Sequence, residues 1–307
     1  MILPAEAGSR RRLTPRQRRG LRAGLLFIAP WIFGFLAFQL YPILYALYLS
    51  FTQYTGFGPA EWVGLSNYVR MFTQDPLFWQ SLFNTVYYTV LAVPIGVVMA
   101  MIMALAMNQK LREVAIYRAA LYLPSVLPLF AISFIFLALL NPQFGLVNYV
   151  LTLVHIPPID WLGDPRWAKL AIVLMAQLGA GNAAIVLLAG LRAIPITLYE
   201  AAVIDGANWW TRFWRITIPL LTPVILYDVI LGLHAGLQVF TQAYILTNGG
   251  PSNSTLFYVF YLYNNAFSYS QMGYASALSW VLFIISFGIA ILVFRLSSRW
   301  VNYELVA

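Results

Sequence analysis

The segment Glu200–Pro219 reads EAAVIDGANWWTRFWRITIP and lies between two long hydrophobic runs. It contains one Glu, one Asp and two Arg, although charged residues make up only 9% of the chain. Because an ionised side chain is costly in the hydrocarbon layer of a membrane, a charged connection between apolar runs indicates a segment outside the lipid. The segment therefore favours a chain that enters and leaves a membrane several times.

The composition supports a membrane protein. Of the 307 residues, 61% are hydrophobic and 16% are aromatic, whereas about half of a soluble domain is apolar even when Gly is counted. A helix that crosses a bilayer needs about 20 apolar residues, and no alternating pattern of a transmembrane barrel is present. The sequence predicts an all-α membrane protein with six transmembrane helices, near Leu25–Leu49, Leu82–Met107, Leu121–Leu140, Leu170–Leu191, Ile218–Leu246 and Tyr274–Phe294.

Most of the basic residues fall on one side of the predicted membrane domain. With six spans, one face receives both termini and the second and fourth connections, and with them fifteen of the 18 Lys and Arg residues. Only Arg70, Arg166 and Lys169 fall on the other face. The excess predicts that both termini and the quoted segment are cytoplasmic, and it accounts for the basic N-terminus without a nucleic-acid partner. We expect a basic cytoplasmic tail over residues 1–22, a six-helix membrane domain over 23–299 and a cytoplasmic tail over 300–307.

The N-terminal apolar run is not expected to be a cleaved signal peptide. The run from Gly24 to Ser50 is longer than the roughly 7 to 15 residues of a signal core, and no Ala-x-Ala site closes it.

The residue inventory argues against an enzyme. Lys110 and Lys169 lack the Gly-rich context of a phosphate-binding loop, and the chain has no Cys and no Gly-x-Ser-x-Gly motif. His155 and His234 are far apart and lack neighbouring acids at metal-ligand spacing. Asp228 alone, without a partner acid or base, is weak evidence for chemistry on a lipid-linked substrate. We expect a non-enzyme with no catalytic, cofactor-binding or metal-binding residues.

Asp228 lies deep in the fifth predicted span. It follows Pro219 by nine residues, which places it about 13 Å along a helix that begins at that proline. At 100° per residue it shares a stripe with four small or apolar residues, whereas His234 and Gln238 lie on another face. Two interpretations remain open: helix packing through a Gly-x-x-x-Gly pair, or a cavity wall in which Asp228 is the hydrogen-bonding group. The stripe residues are Gly232, Ala235, Gly236 and Val239.

The fourth predicted span is weakened in its middle by the sequence LGAGNAA, Leu178–Ala184. Gly179 and Gly181 each disfavour a helix by about 1 kcal/mol relative to Ala, and Asn182 adds a polar group. Interrupted helices of this kind line binding sites in transporters, but close packing against a neighbour is an equally open interpretation.

The uncharged connection Thr247–Gly273 is rich in Tyr and Phe. We expect an interfacial segment, either a simple aromatic belt or a gate or docking surface over an external opening.

The quoted segment itself predicts a short helical hairpin on the cytoplasmic face. Thr197 is expected to cap its first helix with Glu200 at capping-box spacing, and Gly206 to end that helix. A second helical run, Asn208–Ile216, then precedes the span that opens at Pro219. The small residues and exposed aromatics of this hairpin suit a docking surface for a partner or a loop on the membrane surface.

The same segment resembles the EAA loop of bacterial ABC importer membrane subunits, whose pattern is Glu-Ala-Ala, three residues, Gly, nine residues and Ile-x-Leu-Pro. Ile218 stands where that pattern has Leu. The sequences Asp205-Gly206-Ala207 and LTNGGP, Leu246–Pro251, resemble the carbohydrate-uptake branch, similar to maltose and glycerol-phosphate importer membrane subunits. The likeness extends to YPILYALYLSFT from Tyr41, GLSNYVRMF from Gly64, FGLVNY from Phe144 and MGYASA from Met272. The matched pattern residues are Glu200, Ala201, Ala202, Gly206, Ile216 and Pro219.

The resemblance implies a type I ABC importer permease, with residues 195–219 as the coupling loop that inserts into a cytoplasmic ATPase dimer. ATP and Mg²⁺ would then bind to the ATPase, and this chain would bind no cofactor. It further implies a second permease subunit in a hetero-dimer, an external sugar-binding protein and an inner membrane of a bacterium or archaeon. Expected ATPase-coupling residues are Glu200, Ala201, Ala202, Asp205, Gly206 and Ala207. Expected substrate-pathway residues are Met175, Gly179, Asn182, Asp228, Gly232, Ala235, Gly236 and Val239.

The expected function is thus sugar import by alternating access, driven by ATP hydrolysis on a separate subunit. Oligosaccharides, monosaccharides and glycerol phosphate remain possible cargoes, and the lack of a basic residue in the expected pathway argues against phosphorylated ones. The main rivals are a secondary transporter or channel, which would need inverted repeats or intramembrane charge pairs, and a membrane enzyme.

Overall fold

The computed structural model describes residues 15–109 and 112–302. Lys110 and the outer parts of both predicted tails, residues 1–14 and 303–307, lie outside the described residues. Two short strands, Thr52–Gln53 (β1) and Glu61–Trp62 (β2), pair antiparallel with Thr52 opposite Trp62.

The remaining regular structure is helical. In chain order the α-helices are α1 Pro15–Phe35, α2 Tyr41–Ser50, α3 Ser66–Thr73, α4 Pro76–Met107, α5 Val114–Val126, α6 Leu129–Leu139, α7 Leu146–Leu153, α8 Pro165–Ala176, α9 Ala180–Ala193, α10 Ile196–Ile204, α11 Trp209–Arg212, α12 Ile218–Leu237, α13 Thr241–Leu246, α14 Tyr258–Tyr263 and α15 Met272–Ser297.

Five helical stretches of the described chain are long and apolar enough to cross a membrane, and a bent pair of helices supplies a sixth. The predicted six-helix architecture is therefore confirmed, with one span in two parts. The five stretches are Arg19–Ser50, Pro76–Met107, Pro165–Ala193, Trp209–Leu237 and Met272–Ser297.

The third span is not the continuous helix that its apolar run predicted. It consists of α5 and α6, whose axes differ by 94°. Pro128 forces the preceding Leu127 into an extended conformation, with φ −68° and ψ 137°, and so ends α5. The conformation that Pro128 imposes therefore interrupts the helix, although the sequence remains apolar on both sides.

The fourth span departs from α-helical geometry where its sequence predicted weakness. A 3₁₀ turn, Gln177–Gly179, joins α8 to α9. The turn lies immediately before the helix that carries Gly181 and Asn182. The span nevertheless runs without a break from Pro165 to Ala193.

The predicted limits of the fifth span are wrong at both ends. The span begins at Trp209 rather than Pro219, because α11, a π-helical turn Phe213–Thr217 and α12 form one continuous helix. The π turn widens the backbone just before Pro219, which accommodates the proline ring inside a helix. At the other end α12 stops at Leu237, and α13 is a separate helix.

The aromatic-belt interpretation of the segment Thr247–Gly273 is wrong for its central residues, which face the protein interior. Phe257, Tyr258, Phe260 and Tyr261 are all at most 5% exposed and belong to the core. The Tyr258 hydroxyl donates to the backbone oxygen of Leu278 at 2.9 Å, so its polar end is satisfied inside the bundle. Helix α14 is therefore an aromatic plug between α4 and α15.

Helix α4 organises the bundle, because α9 and α12 both pack along it. Two apolar clusters lie at different levels of this helix. One contains Phe78 and Tyr88 with the aromatic plug, and the other contains Ala100 and Ala104 with side chains of α9 and α12. The segment of α4 between the clusters is the level at which a cavity opens.

Candidate substrate cavity and coupling hairpin

A cavity of about 660 Å³ lies between α4, α12, the α5–α6 bend and the α8–α9 turn. Two helix irregularities form its walls. The bend contributes Ser125 and Leu127, and the 3₁₀ turn contributes Gln177 and Gly179. Because both interruptions occur at the same level as the middle of α12, they leave space where straight helices would pack closely.

Seven of the eight expected substrate-pathway residues line this cavity, namely Met175, Gly179, Asn182, Asp228, Gly232, Ala235 and Gly236. The structure brings them together from two spans that are separate in sequence. Contact of these residues with a substrate remains a prediction.

Val239 is not among the residues that line the cavity. It follows the end of α12 at Leu237, so the 100° rotation per residue no longer applies to it. Its side chain is 3% exposed and packs in the core instead.

The glycines of the stripe serve close packing as well as cavity walls. A Cβ added to Gly236 would lie 2.8 Å from Cγ2 of Thr89, and one added to Gly232 would lie 3.2 Å from Cγ1 of Val93. These residues therefore allow α12 to approach α4. A Cβ added to Gly179 would meet no atom within 4 Å, so this glycine faces open space.

Two hydrogen-bond acceptors in the cavity lack partners. Among the described residues, four buried side-chain polar atoms have no hydrogen-bond partner, and Oδ2 of Asp228 and Oε1 of Gln177 are two of them. Asp228 is 7% exposed. Because an unpaired buried acceptor costs free energy, each of these two oxygens favours a hydrogen-bond donor as its neighbour.

Sequence reasoning missed several polar residues of the cavity. Tyr88, Ser125, Gln177, Tyr227 and Gln242 also line it. Gln177 was detectable, because it is the only strongly polar side chain between Lys169 and Asn182 in the fourth span. Ser125 was hidden by the assumption of a continuous third span.

His234 and Gln238 lie on a different face from Asp228, as the helical periodicity predicted. They line a second cavity of about 490 Å³ between α12, α14 and α15. This cavity also contains Ser279 and Ser286 from α15.

The predicted hairpin exists, and Gly206 forms its turn. Gly206 has φ +75°, and its N–H donates to the oxygen of Val203 at 3.0 Å. The N–H of Ala207 donates to the oxygen of Ala202 at 2.8 Å. This pair of hydrogen bonds is a Schellman ending of α10, for which a glycine at positive φ is the usual residue.

The predicted capping box is wrong. Helix α10 begins at Ile196 after Pro195, and no side chain caps it, so Thr197 lies inside the helix rather than before it. Pro195 requires no amide partner and takes the role of the boundary residue. The second arm is capped as a helix start, since Oδ1 of Asn208 accepts from the N–H of Thr211 at 2.8 Å.

The surface of the hairpin is open. Of the six expected coupling residues, Glu200, Ala201, Asp205 and Gly206 are exposed, and Ala202 and Ala207 are half-buried. Ile204 is 86% exposed at the turn. Apolar and acidic side chains together at a protruding turn suit a protein partner. The arms are tied by a hydrogen bond of 2.9 Å between Tyr199 Oη and Thr217 Oγ1.

The fold and cavity define the class of this molecule: a multi-span membrane protein with a cavity between its helices and an exposed helical hairpin, the architecture of a transport subunit. The chain belongs to the family described as "Binding-protein-dependent transport system inner membrane component", whose pattern matches residues 92–303. It is accordingly an inner membrane, multi-pass protein of the ABC transporter permease type.

Individual relatives agree with this assignment. The chain is 39% identical over 290 residues, 94% of both chains, to "Probable ABC transporter permease protein YesP" of Bacillus subtilis (strain 168). It is 42% identical over 270 residues to "Lactose transport system permease protein LacF" of Rhizobium radiobacter, covering 85% of this chain and 89% of that protein.

A solved structure shares the fold. A chain of a bacterial ABC transporter involved in the import of the acidic polysaccharide alginate superposes with a TM-score of 0.81 at 24% identity. The match covers 92% of this chain and 99% of that chain.

Proposed function

We propose that this chain is the permease subunit of an ATP-driven sugar importer and forms half of its translocation pathway. A second permease subunit completes a hetero-dimer, a cytoplasmic ATPase dimer holds the ATP and Mg²⁺, and an external binding protein delivers the sugar. Both termini and the hairpin lie on the cytoplasmic side, where the positive-inside rule favours the basic residues. Similar proteins include a lactose transport system permease protein and an arabinooligosaccharides transport system permease protein, which supports a sugar cargo.

One observation carries the proposal: the hairpin and the cavity share a single helix. The second arm of the hairpin begins at Trp209, and the same continuous helix extends past Asp228 to Leu237. Asp228 lies about 28 Å further along the helix than Trp209. A movement of the hairpin is therefore transmitted to the cavity wall by a rigid element.

This connection supports alternating access. ATP-driven closure of the ATPase dimer draws the hairpins of the two permease subunits together, which rotates the helices and opens the cavity to the external binding protein. Hydrolysis reverses the movement. The permease transmits motion and carries out no bond chemistry.

The test is substitution of Gly206 by Val in the assembled transporter. Val is strained at φ +75°, so the turn distorts, and we expect association with the ATPase and sugar-stimulated ATP hydrolysis to fall about tenfold or more. Gly58 is a matched control, because it has φ +81° and, like Gly206, no atom within 4 Å of an added Cβ, but lies between β1 and β2.

We expect Gly58→Val to leave coupling intact. Glu200→Lys reverses one exposed charge of the hairpin without straining its backbone, and it should also weaken ATPase association. Unchanged ATPase association and sugar uptake in both Gly206→Val and Glu200→Lys would refute the coupling role.

A further inference from the structure

We propose that Asp228 makes the cavity charge-selective, so that it admits hydroxyl-rich sugars without negative charge and disfavours sugars that carry carboxylate, phosphate or sulfonate groups. This inference rests on the proposed sugar-transport function and adds the class of cargo. It depends on the orientation of the Gln177 amide, on the lack of a cation beside the Asp228 carboxylate, and on the uncharged side chains of the other lining residues.

The orientation of Gln177 is fixed by its amide nitrogen. Nε2 donates to the backbone oxygen of Val173 at 2.7 Å, with a longer contact of 3.5 Å to the oxygen of Ala92. Both donor positions of the amide are therefore directed at the protein backbone. Oε1 has no partner and is enclosed by the protein beside Gly96, at a residue that lines the cavity. The side chain therefore brings neither a free donor nor a positive charge to the cavity.

Asp228 is the only charged residue among the described residues that line the cavity. Within the described chain the ion pair found joins Arg166 to Asp164, so no Lys, Arg or His in that part of the chain lies within 4.0 Å of the Asp228 carboxylate. A buried carboxylate with a free oxygen attracts hydroxyl and ammonium donors and repels anions.

The other lining residues do not offset this selectivity. The described wall is otherwise apolar or carries neutral hydroxyl and amide groups, including Ser125, Asn182 and Tyr227. The Ser125 hydroxyl already donates to the backbone oxygen of Tyr122 at 2.7 Å. A sugar hydroxyl donates to the Asp228 carboxylate, whereas a carboxylate or phosphate group cannot do so and adds a like charge.

The absence of cysteine from the chain permits a direct test of the cavity's charge selectivity. Ser125→Cys places a thiol in the cavity with little change in size. In the assembled transporter we would measure its modification rates by a cationic trimethylammonium-ethyl methanethiosulfonate and by the anionic sulfonatoethyl analogue. We expect the ratio of cationic to anionic rates to fall about tenfold when Asp228→Asn is added.

Ser286→Cys is the matched control, because Ser286 lines the second cavity. Its rate ratio should not change with Asp228→Asn. An equal change at both thiols, or no change at Ser125→Cys, would overturn the proposal. The labelling does not depend on transport activity, so failure of the proposed function is seen separately, as absence of ATP-dependent sugar uptake in the unsubstituted assembly.

Protection of the Ser125→Cys thiol identifies the cargo class. We expect lactose, maltose or glucosamine to slow its modification, and galacturonate to require at least about a tenfold higher concentration. Gln177→Leu changes a neighbouring lining residue without changing charge, so it should leave the ratio of cationic to anionic modification rates unchanged. Protection by galacturonate at equal concentration, or no protection by any of the three other sugars, would overturn the proposal.

Discussion

The hydroxyl of Tyr261 donates to Oδ2 of Asp75 at 2.5 Å, although 186 residues separate the two along the chain. Tyr274 donates to the same oxygen, and Oδ1 of Asp75 accepts from the N–H groups of Leu77 and Phe78 at the start of α4. One carboxylate therefore joins α4, α14 and α15 at the end of the bundle opposite the hairpin.

This junction predicts a large effect of Asp75→Ala. The change removes the cap of α4 and leaves two phenol hydroxyls without an acceptor, so we expect a loss of about 3 kcal/mol in the free energy of unfolding. Tyr261→Phe removes one hydrogen bond and should cost about 1 kcal/mol. Thermal unfolding of the purified chain in detergent measures both.

Tyr269→Phe is the control, because Tyr269 is 57% exposed and lies near the same loop. A Tyr261→Phe variant as stable as Tyr269→Phe would contradict the role of the junction.

The close approach of α12 to α4 predicts that Gly236 tolerates no side chain. Gly236→Ala places a methyl group 2.8 Å from Cγ2 of Thr89, so the helices must separate, and we expect a cost of about 1 to 3 kcal/mol. Gly288→Ala, within α15, meets no atom within 4 Å and should be neutral or slightly stabilising. Equal unfolding temperatures for the two variants would show that α12 does not need this contact.

The hydrogen bond between Tyr199 and Thr217 is expected to stabilise α10 against local unfolding. Tyr199→Phe should lower the stability of α10 by about 1 kcal/mol. Amide hydrogen exchange in α10 should then increase roughly fivefold, while exchange in α4 stays constant. Uniform faster exchange over the whole chain would indicate global destabilisation instead.

The proposed orientation predicts which side of the membrane reaches each end of the bundle. In the cysteine-free background, Asp205→Cys should react with a membrane-impermeant maleimide only from the cytoplasmic side, as measured in inverted vesicles. Phe57→Cys, at a residue that is 85% exposed between β1 and β2, should react only from the outside of intact cells. Labelling of both positions from one side would reject the topology.

Helical periodicity correctly predicted which residues of α12 share one face, because a regular helix fixes the direction of every side chain. Asp228, Gly232, Ala235 and Gly236 face one space for that reason, and the prediction failed at Val239, where the helix has already ended. Gly206 was predictable because few other residues occupy its positive φ without strain.

What sequence reasoning missed arises from tertiary structure. The bend at Pro128 is signalled by a proline, but its angle depends on how α5 and α6 pack. The burial of Tyr258 depends on acceptors from distant helices, which the local aromatic pattern does not reveal. Likewise the Asp75 junction is formed by residues that no spacing rule connects.

The π turn Phe213–Thr217 sets how far the tryptophan-bearing arm is rotated about the axis of the fifth span relative to Asp228. A single π turn holds one residue more than the α-helical turn that it replaces, so deleting one residue inside it should restore a regular α-helix and leave this rotation nearly unchanged. Deleting one residue of α12 between Pro219 and Asp228 would instead rotate the arm by about 100°. The turn therefore tolerates the loss of one residue that the regular helix next to it does not.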